Sequence, residues 1–401
     1  MINFDFEQNC CGCASCENSC PTNAIKMVQN GEGFQFPRID ETLCIKCGKC
    51  ERACPYLNAQ KDSDSFSEQD FTGKKSYLFF DKSDDRINST SGGFLFALGK
   101  KIISNGGLVC GCVWDENLVA RHVCTDSTES LRKMQSSKYV QSRLGTTFLE
   151  IQNALKDGRQ VLFGGTPCQT AALYRFLGGK NPENLILACV ICHGVPSPLV
   201  WERYKSCLEK KYNSKLVDVN LRDKSYKGYA ESYCKYTFED ESRCGKYTVG
   251  WSTYLYDPYV FLFTDNLYLR KSCSHCRYKS LESHADIIVG DFYASVQEAG
   301  NLGCSGLIAM TPKGEKNIFS IDGFLKPVDV SAISHVNNML WKSSPEHKKR
   351  AVFFKYLKSC GEGDWHLFND FLPLRFKVKK TINRIGLFKY WKKIKQILRK
   401  G

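Results

Sequence analysis

The chain has 401 residues, enough for two or three domains, and 42% of them are hydrophobic, so it can bury proper cores. Its net charge of +14 is concentrated at the C-terminus: residues 375–401 hold 11 Lys and Arg and no acid, which leaves +3 on the other 374 residues. That excludes a nucleic-acid-binding surface spread over the fold, and the longest apolar stretch, 185–192, is too short to span a bilayer.

The first 55 residues carry the bacterial ferredoxin run twice, as Cys10-x2-Cys13-x2-Cys16-x3-Cys20-Pro21 and Cys44-x2-Cys47-x2-Cys50-x3-Cys54-Pro55. In such runs three cysteines grip one [4Fe–4S] cube and the fourth reaches across to the other. The expected ligand sets are therefore Cys10, Cys13, Cys16 and Cys54 for one cube, and Cys44, Cys47, Cys50 and Cys20 for the second. Zinc takes its four ligands as two pairs, so a triple-plus-one pattern repeated with proline both times fits it poorly. There are 22 cysteines in all, and the start, MINFDFEQNCCG, has neither a basic n-region nor an apolar h-region. A reducing cytoplasm is the expected compartment, with thiols serving metals and redox chemistry rather than disulfides.

Residues 58–75 are polar and poor in aliphatics and read as a linker. Periodicity then predicts a strand at 76–80, a helix at 92–103, strands at 107–114 and 119–124 joined by Asp115-Glu116-Asn117, and a short helix at 129–134. From 146 helix and strand alternate: helix 147–156, strand 161–163, helix 168–177, strand 185–191, helix 198–212. Such alternation argues for α/β units on a largely parallel sheet. A hairpin at 229–247 and strands at 285–289 and 307–310 follow.

A second cysteine group stands in these later segments. Cys273 and Cys276 form a C-x2-C pair, while Cys168 and Cys192 each sit just beyond a predicted strand, where α/β folds gather functional side chains. Four such cysteines can make a four-thiolate site, and the same residues also suit zinc or ordinary buried thiols. Three glycine- or hydroxyl-rich segments have the chemistry of anion loops: Ser89-Thr90-Ser91-Gly92-Gly93 before a helix, Ser136-Ser137-Lys138-Tyr139, and Gly164-Gly165-Thr166-Pro167. Each is also what an ordinary helix cap or turn looks like. No GxGxxG follows the first strand of a βαβ unit.

The strings STSGGF, SSKYVQS, GTPCQ, CHGVPSP, LRKSCSHC and IIVGDFY occur in the order seen in the beta-subunit family of coenzyme F420 hydrogenases and dehydrogenases, and residues 76–330 resemble that family. The resemblance implies an iron–sulfur flavoprotein with FAD and a [4Fe–4S] cluster. It points to Cys168, Cys192, Cys273 and Cys276 as ligands of a third cube. It marks Ser91, Gly92, Gly93, Ser137, Lys138 and Tyr139 as FAD contacts, with Thr166 in the third loop and Asp291 of GDF, at the ribose or capping a helix, as further candidates. His193 is the candidate catalytic residue at the flavin edge, equally readable as a structural histidine. Tyr293 departs from the family, where many members have Trp after GDF.

The expected fold is thus a multidomain α+β and α/β chain. A ferredoxin-like module (1–57) and linker (58–75) precede an α/β flavin-binding domain with a mixed sheet, whose parts are 76–150 and 151–340. A helical region with a basic amphipathic tail closes it (341–401). The expected function is electron passage between [4Fe–4S] clusters and FAD, with hydride exchange to a soluble carrier such as the deazaflavin coenzyme. Alternatives are an electron-transfer subunit of a larger hydrogenase- or dehydrogenase-like complex, or a ferredoxin-dependent reductase. The redox partner is a ferredoxin or a deazaflavin-type hydride carrier, and no nucleic acid is expected. In the tail, Phe376, Val378, Ile382, Ile385, Phe388, Trp391, Ile394 and Leu398 recur at helical spacing among the basic residues. That pattern suits an anionic membrane surface at the inner face, a docking arm, or a helix packed on the core.

Overall fold

A computed structural model describes residues 1–62, 65–240, 245–250, 256–294, 296–374 and 376–378. The first two strands, β1 (Ile25–Gln29) and β2 (Gln35–Ile39), pair antiparallel within the cysteine-rich module. Next come β3 (Lys75–Phe80), β4 (Leu108–Trp114), β5 (Ala120–Thr125), β6 (Val161–Gly165) and β7 (Leu185–Val190). They are followed by β8 (Leu216–Asp223), β9 (Tyr233–Asp240), β10 (Gly245–Gly250), β11 (Ile287–Phe292), β12 (Cys304–Ala309) and β13 (Phe324–Val328). Strands from either side of residue 150 share one eight-stranded sheet in the order β13-β3-β12-β11-β7-β6-β4-β5, while β10-β9-β8 form a separate antiparallel sheet.

The large sheet is mixed, as expected for the domain, and not largely parallel as the helix–strand alternation alone argued. Only the central pairings β11–β7, β7–β6 and β6–β4 are parallel, and both flanks are antiparallel. The centre follows from sequence: LILACV and VLFGG are apolar at consecutive positions, so both faces of these strands are covered. Side chains alternate between the faces. Cys110, Phe163, Leu185 and Leu187 enter one core with the helices Thr147–Lys156 and Pro167–Phe176, and Val109, Leu162, Ile186 and Ala188 enter the other with the helix Phe94–Ser104.

Three further expectations are corrected. The 58–75 segment is not a free linker: Phe66 and Phe71 are buried, and Ser67 and Asp70 form a capping box on the turn Glu68–Phe71. The strand expected at 285–289 is β11 and runs on through GDF, so Asp291 lies within a strand and caps no helix. Cys110 and Cys124 are directly opposed across β4 and β5, with Cα atoms 4.1 Å apart, and are disulfide-bonded. Close approach in an antiparallel ladder brings these two thiols within bonding reach despite the expectation that no disulfide would form. The helix expected in the basic tail lies outside the described residues except 376–378, where Phe376 is buried against Phe261.

Candidate functional site: three cysteine sets and a cationic loop cluster

In the module, two recesses each gather one of the cysteine groupings expected from the sequence. One is lined by Cys20, Cys44, Cys47 and Cys50, with Met1, Ile45, Lys46 and Lys49. The other is lined by Cys10, Cys13, Cys16 and Cys54, with Cys11, Phe4 and Tyr56. The crossing of the fourth cysteine follows from two short helices: Ser15–Asn18 delivers the first run toward Cys20, and Lys49–Ala53 delivers the second toward Cys54.

The second cysteine group is assembled by loops at the ends of central strands. Cys168 is the second residue of the helix after β6, and Thr166 caps that helix together with Gln169. Cys192 lies two residues beyond β7. The chain after it runs antiparallel to the segment before Cys273: Ser197 N donates to Tyr268 O at 3.1 Å and Arg270 N to Val195 O at 3.0 Å. The turn Lys271–His275 then presents Cys273 and Cys276. Burial pushes the Cys192 thiol up to about 12, against the lowering pull of Lys279, and Cys168 and Cys276 raise it further. Burial also raises Cys273, which feels Cys192, Cys276 and Cys168 in turn. The four, each half-buried, thus form one neighbourhood. Among the described residues no three His, Cys, Asp or Glu converge as the ligands of a single metal ion do.

Residues that sequence reading passed over link this group to the module. Cys11 lies beside Cys13 and Cys168, and both act on its buried thiol. The Tyr278 hydroxyl is buried without a hydrogen-bond partner, and the groups acting on it are Cys11, Cys13, Cys54 and Cys168. An orphaned hydroxyl aimed among thiols fits a site built to hold sulfur-rich clusters. Arg270, fully buried, donates through Nε to Cys10 O, through Nη2 to Gln35 O at 2.9 Å and through Nη1 to Gln141 Oε1 at 3.0 Å. Gln141 Nε2 donates to Cys11 O at 2.8 Å, and Arg350 forms a two-pronged ion pair with Glu32. Gly33 packs so closely that a Cβ there would stand 2.3 Å from Leu199. A lone arginine or glutamine carries no spacing signature, which is why these residues were invisible beforehand.

The expected flavin loops do meet. Ser137 N donates to Thr90 Oγ1 at 3.0 Å, and the Thr90 and Ser137 hydroxyls are 3.0 Å apart. Ser91 Oγ lies 2.9 Å from Ser305 Oγ, and Gly92 N donates to the same oxygen at 3.0 Å. A Cβ on Gly92 would stand 2.2 Å from Phe79 O, and Gly93 has φ +84°, so both positions require glycine. Lys138 turns its ammonium onto the carbonyls of Lys133 and Gln135 at 2.8 and 2.6 Å, and burial brings it down to about 8. Two cations missed from sequence complete the cluster. Arg222 reaches Tyr139 Oη at 3.3 Å and Asp291 at 3.4 Å; Lys224 donates to Ser91 O at 2.8 Å and to Leu302 O. Burial, with Arg86 and Arg222 nearby, pushes Lys224 down to about 7 although Asp291 pulls the other way. Two buried cations facing one carboxylate fit an anionic group such as a pyrophosphate.

Two expected residues stand elsewhere. Thr166 is at the cysteines: its Oγ1 is 3.1 Å from Cys168 Sγ and 3.1 Å from Gln169 Oε1. His193 is held by Asn266 Oδ1 at 2.7 Å and lies edge-on to Phe263, with burial lowering its basicity.

Two stretches of the chain match known protein families, although no curated protein matches it. Among solved structures, a chain of the F420-reducing [NiFe] hydrogenase complex from Methanosarcina barkeri, studied by xenon derivatization, is similar at 17% identity and a TM-score of 0.40, over 72% of this chain and 89% of that one. Residues 9–58 match the family described as 4Fe-4S dicluster domain, and residues 158–322 match the C-terminal part of the coenzyme F420 hydrogenase/dehydrogenase beta subunit. Residues 158–322 therefore carry the C-terminal domain of the coenzyme F420 hydrogenase/dehydrogenase beta-subunit family, behind a 4Fe–4S dicluster domain at residues 9–58.

Proposed function

We propose that the chain is an iron–sulfur flavoprotein oxidoreductase that converts between a two-electron hydride carrier and one-electron carriers. In this reading the two module recesses hold [4Fe–4S] cubes, Cys168, Cys192, Cys273 and Cys276 hold a third, and FAD lies along residues 89–93, 136–139 and 220–224. Bound FAD supplies the exchange of one hydride for two single electrons. The chain's own residues do the rest. Arg222 and Lys224 receive the pyrophosphate, the Thr166 hydroxyl stands 3.1 Å from the Cys168 sulfur, and Arg270 fixes the module against the body. The observation that carries the reading is Cys11, whose thiol feels one cysteine from each of two sets, Cys13 and Cys168, and so marks a short route for single electrons. The hydride partner is proposed to be a soluble deazaflavin-type carrier, in keeping with the family description.

That same description favours a second reading, an electron-transfer subunit of a larger complex. Purified protein that oxidises a hydride donor and reduces a dye unaided supports the first; activity that requires an added partner protein supports the second.

The flavin assignment is tested at Lys224. Its ammonium is largely neutral at pH 8 in the free chain. A bound pyrophosphate raises its pKa, so FAD binding at pH 8 should take up close to one proton, read by titration calorimetry in buffers of different ionisation enthalpy. Lys224→Met should remove that uptake and weaken FAD about ten- to hundredfold, the worth of one hydrogen bond to a charged group. Equal affinity and equal uptake in both proteins would place the flavin elsewhere.

A further inference from the structure

The cube sites proposed above are not equally covered. Cys13, Cys16 and Cys54 are buried, and Cys13 is part of the core shared with β4, β6 and β7. Cys47 is exposed, and its recess opens on a rim where Ile45 is 64% and Leu43 49% exposed. Aliphatic side chains this bare around a functional recess are characteristic of contact surfaces.

The charge of that recess is one-sided. Its lining includes the Met1 ammonium, Lys46 and Lys49, and no carboxylate. Both lysines are exposed, and neither makes an ion pair among the described residues. Arg52, also exposed, donates to Cys47 O at 3.3 Å. Of the nearby acids, Glu51 is tied to Met1 at 2.9 Å, and Asp40 is turned onto the amide and hydroxyl of Thr42. Glu41 is exposed outside the recess.

We propose that this rim is the electron port of the molecule, and that its occupant is an acidic one-electron carrier protein. The inference rests on the reading that Cys20, Cys44, Cys47 and Cys50 hold a cube. Ile45 and Leu43 supply the apolar centre of the contact, and Lys46, Lys49 and Arg52 supply a cationic border that steers an acidic surface into place. Each encounter moves one electron between the carrier's centre and the cube, so one is oxidised as the other is reduced, and no bond is made or broken.

The test uses the full chain, anaerobically reconstituted, mixed in a stopped-flow cell with a reduced acidic [2Fe–2S] ferredoxin as probe. A zwitterionic viologen serves as a carrier with no net charge. The ferredoxin rate should fall as salt rises, and the double variant Lys46→Glu/Lys49→Glu should slow it about tenfold or more at low salt, within the range of electrostatic steering. The viologen rate and the iron content should not change. Ile45→Ser should slow the ferredoxin at high salt as well, since screening does not touch an apolar contact. Undiminished ferredoxin rates in the charge-reversed protein, with iron intact, would overturn the docking site alone. A wild-type chain that takes up no module iron would instead overturn the cluster reading beneath it.

Discussion

Cys11 stands beside a ligand-type cysteine in sequence and between two such groups in space, yet neither ferredoxin run has a place for it. In the proposed reading it is a route and not a ligand. Cys11→Ala should therefore leave iron per chain unchanged and slow electron passage from the module to the third site, whereas Cys168→Ala should lose about four iron. Iron loss in Cys11→Ala would make it a ligand and displace one of the proposed set. Spacing made the module cysteines legible, because thiolates gripping a cube are close in sequence. Cys168 and Cys192 were legible only as strand-end residues that the family strings bring together. Arg222, Lys224 and Arg270 were not legible at all: a buried cation is defined by what surrounds it, and Lys224 meets Ser91 across 133 positions.

At the scale of elements, helix 147–156 and helix 198–212 came directly from periodicity, and the second also has Ser197 and Pro198 at its start. The antiparallel flanks of the sheet were less legible, since strand direction is set by connections rather than by residue pattern. One carboxylate holds several of these elements in register. Asp286, fully buried, accepts from Leu187 N on β7 at 2.9 Å and from Thr311 Oγ1 at 2.7 Å, and pairs with Lys313 at 3.4 Å on the helix Pro312–Phe319. Asp286→Ala leaves that ammonium and a buried amide without their anion, which costs about 3–5 kcal/mol. Anaerobic urea unfolding should show the loss as a lower midpoint; a change under about 1 kcal/mol would mean that Asp286 is not the clasp described here.

For the whole molecule, the module read from sequence as a separately tethered unit, because nothing in its 57 residues advertises a docking face. It is instead built into the body through Arg270, Gln141 and the Arg350–Glu32 pair, and Cys11, Cys13 and Ala14 share a core with the central strands. That placement orders the proposed cube sites from an exposed recess, through a covered one, to the cysteines at the ends of β6 and β7. In the proposed reading this order contains three cubes. Iron and acid-labile sulfide per chain should be measured after anaerobic reconstitution of the wild type and of Cys273→Ala. Three cubes require about twelve of each in the wild type and about eight in the variant, from four per cube. About eight in both proteins would contradict it and return Cys168, Cys192, Cys273 and Cys276 to the status of buried thiols.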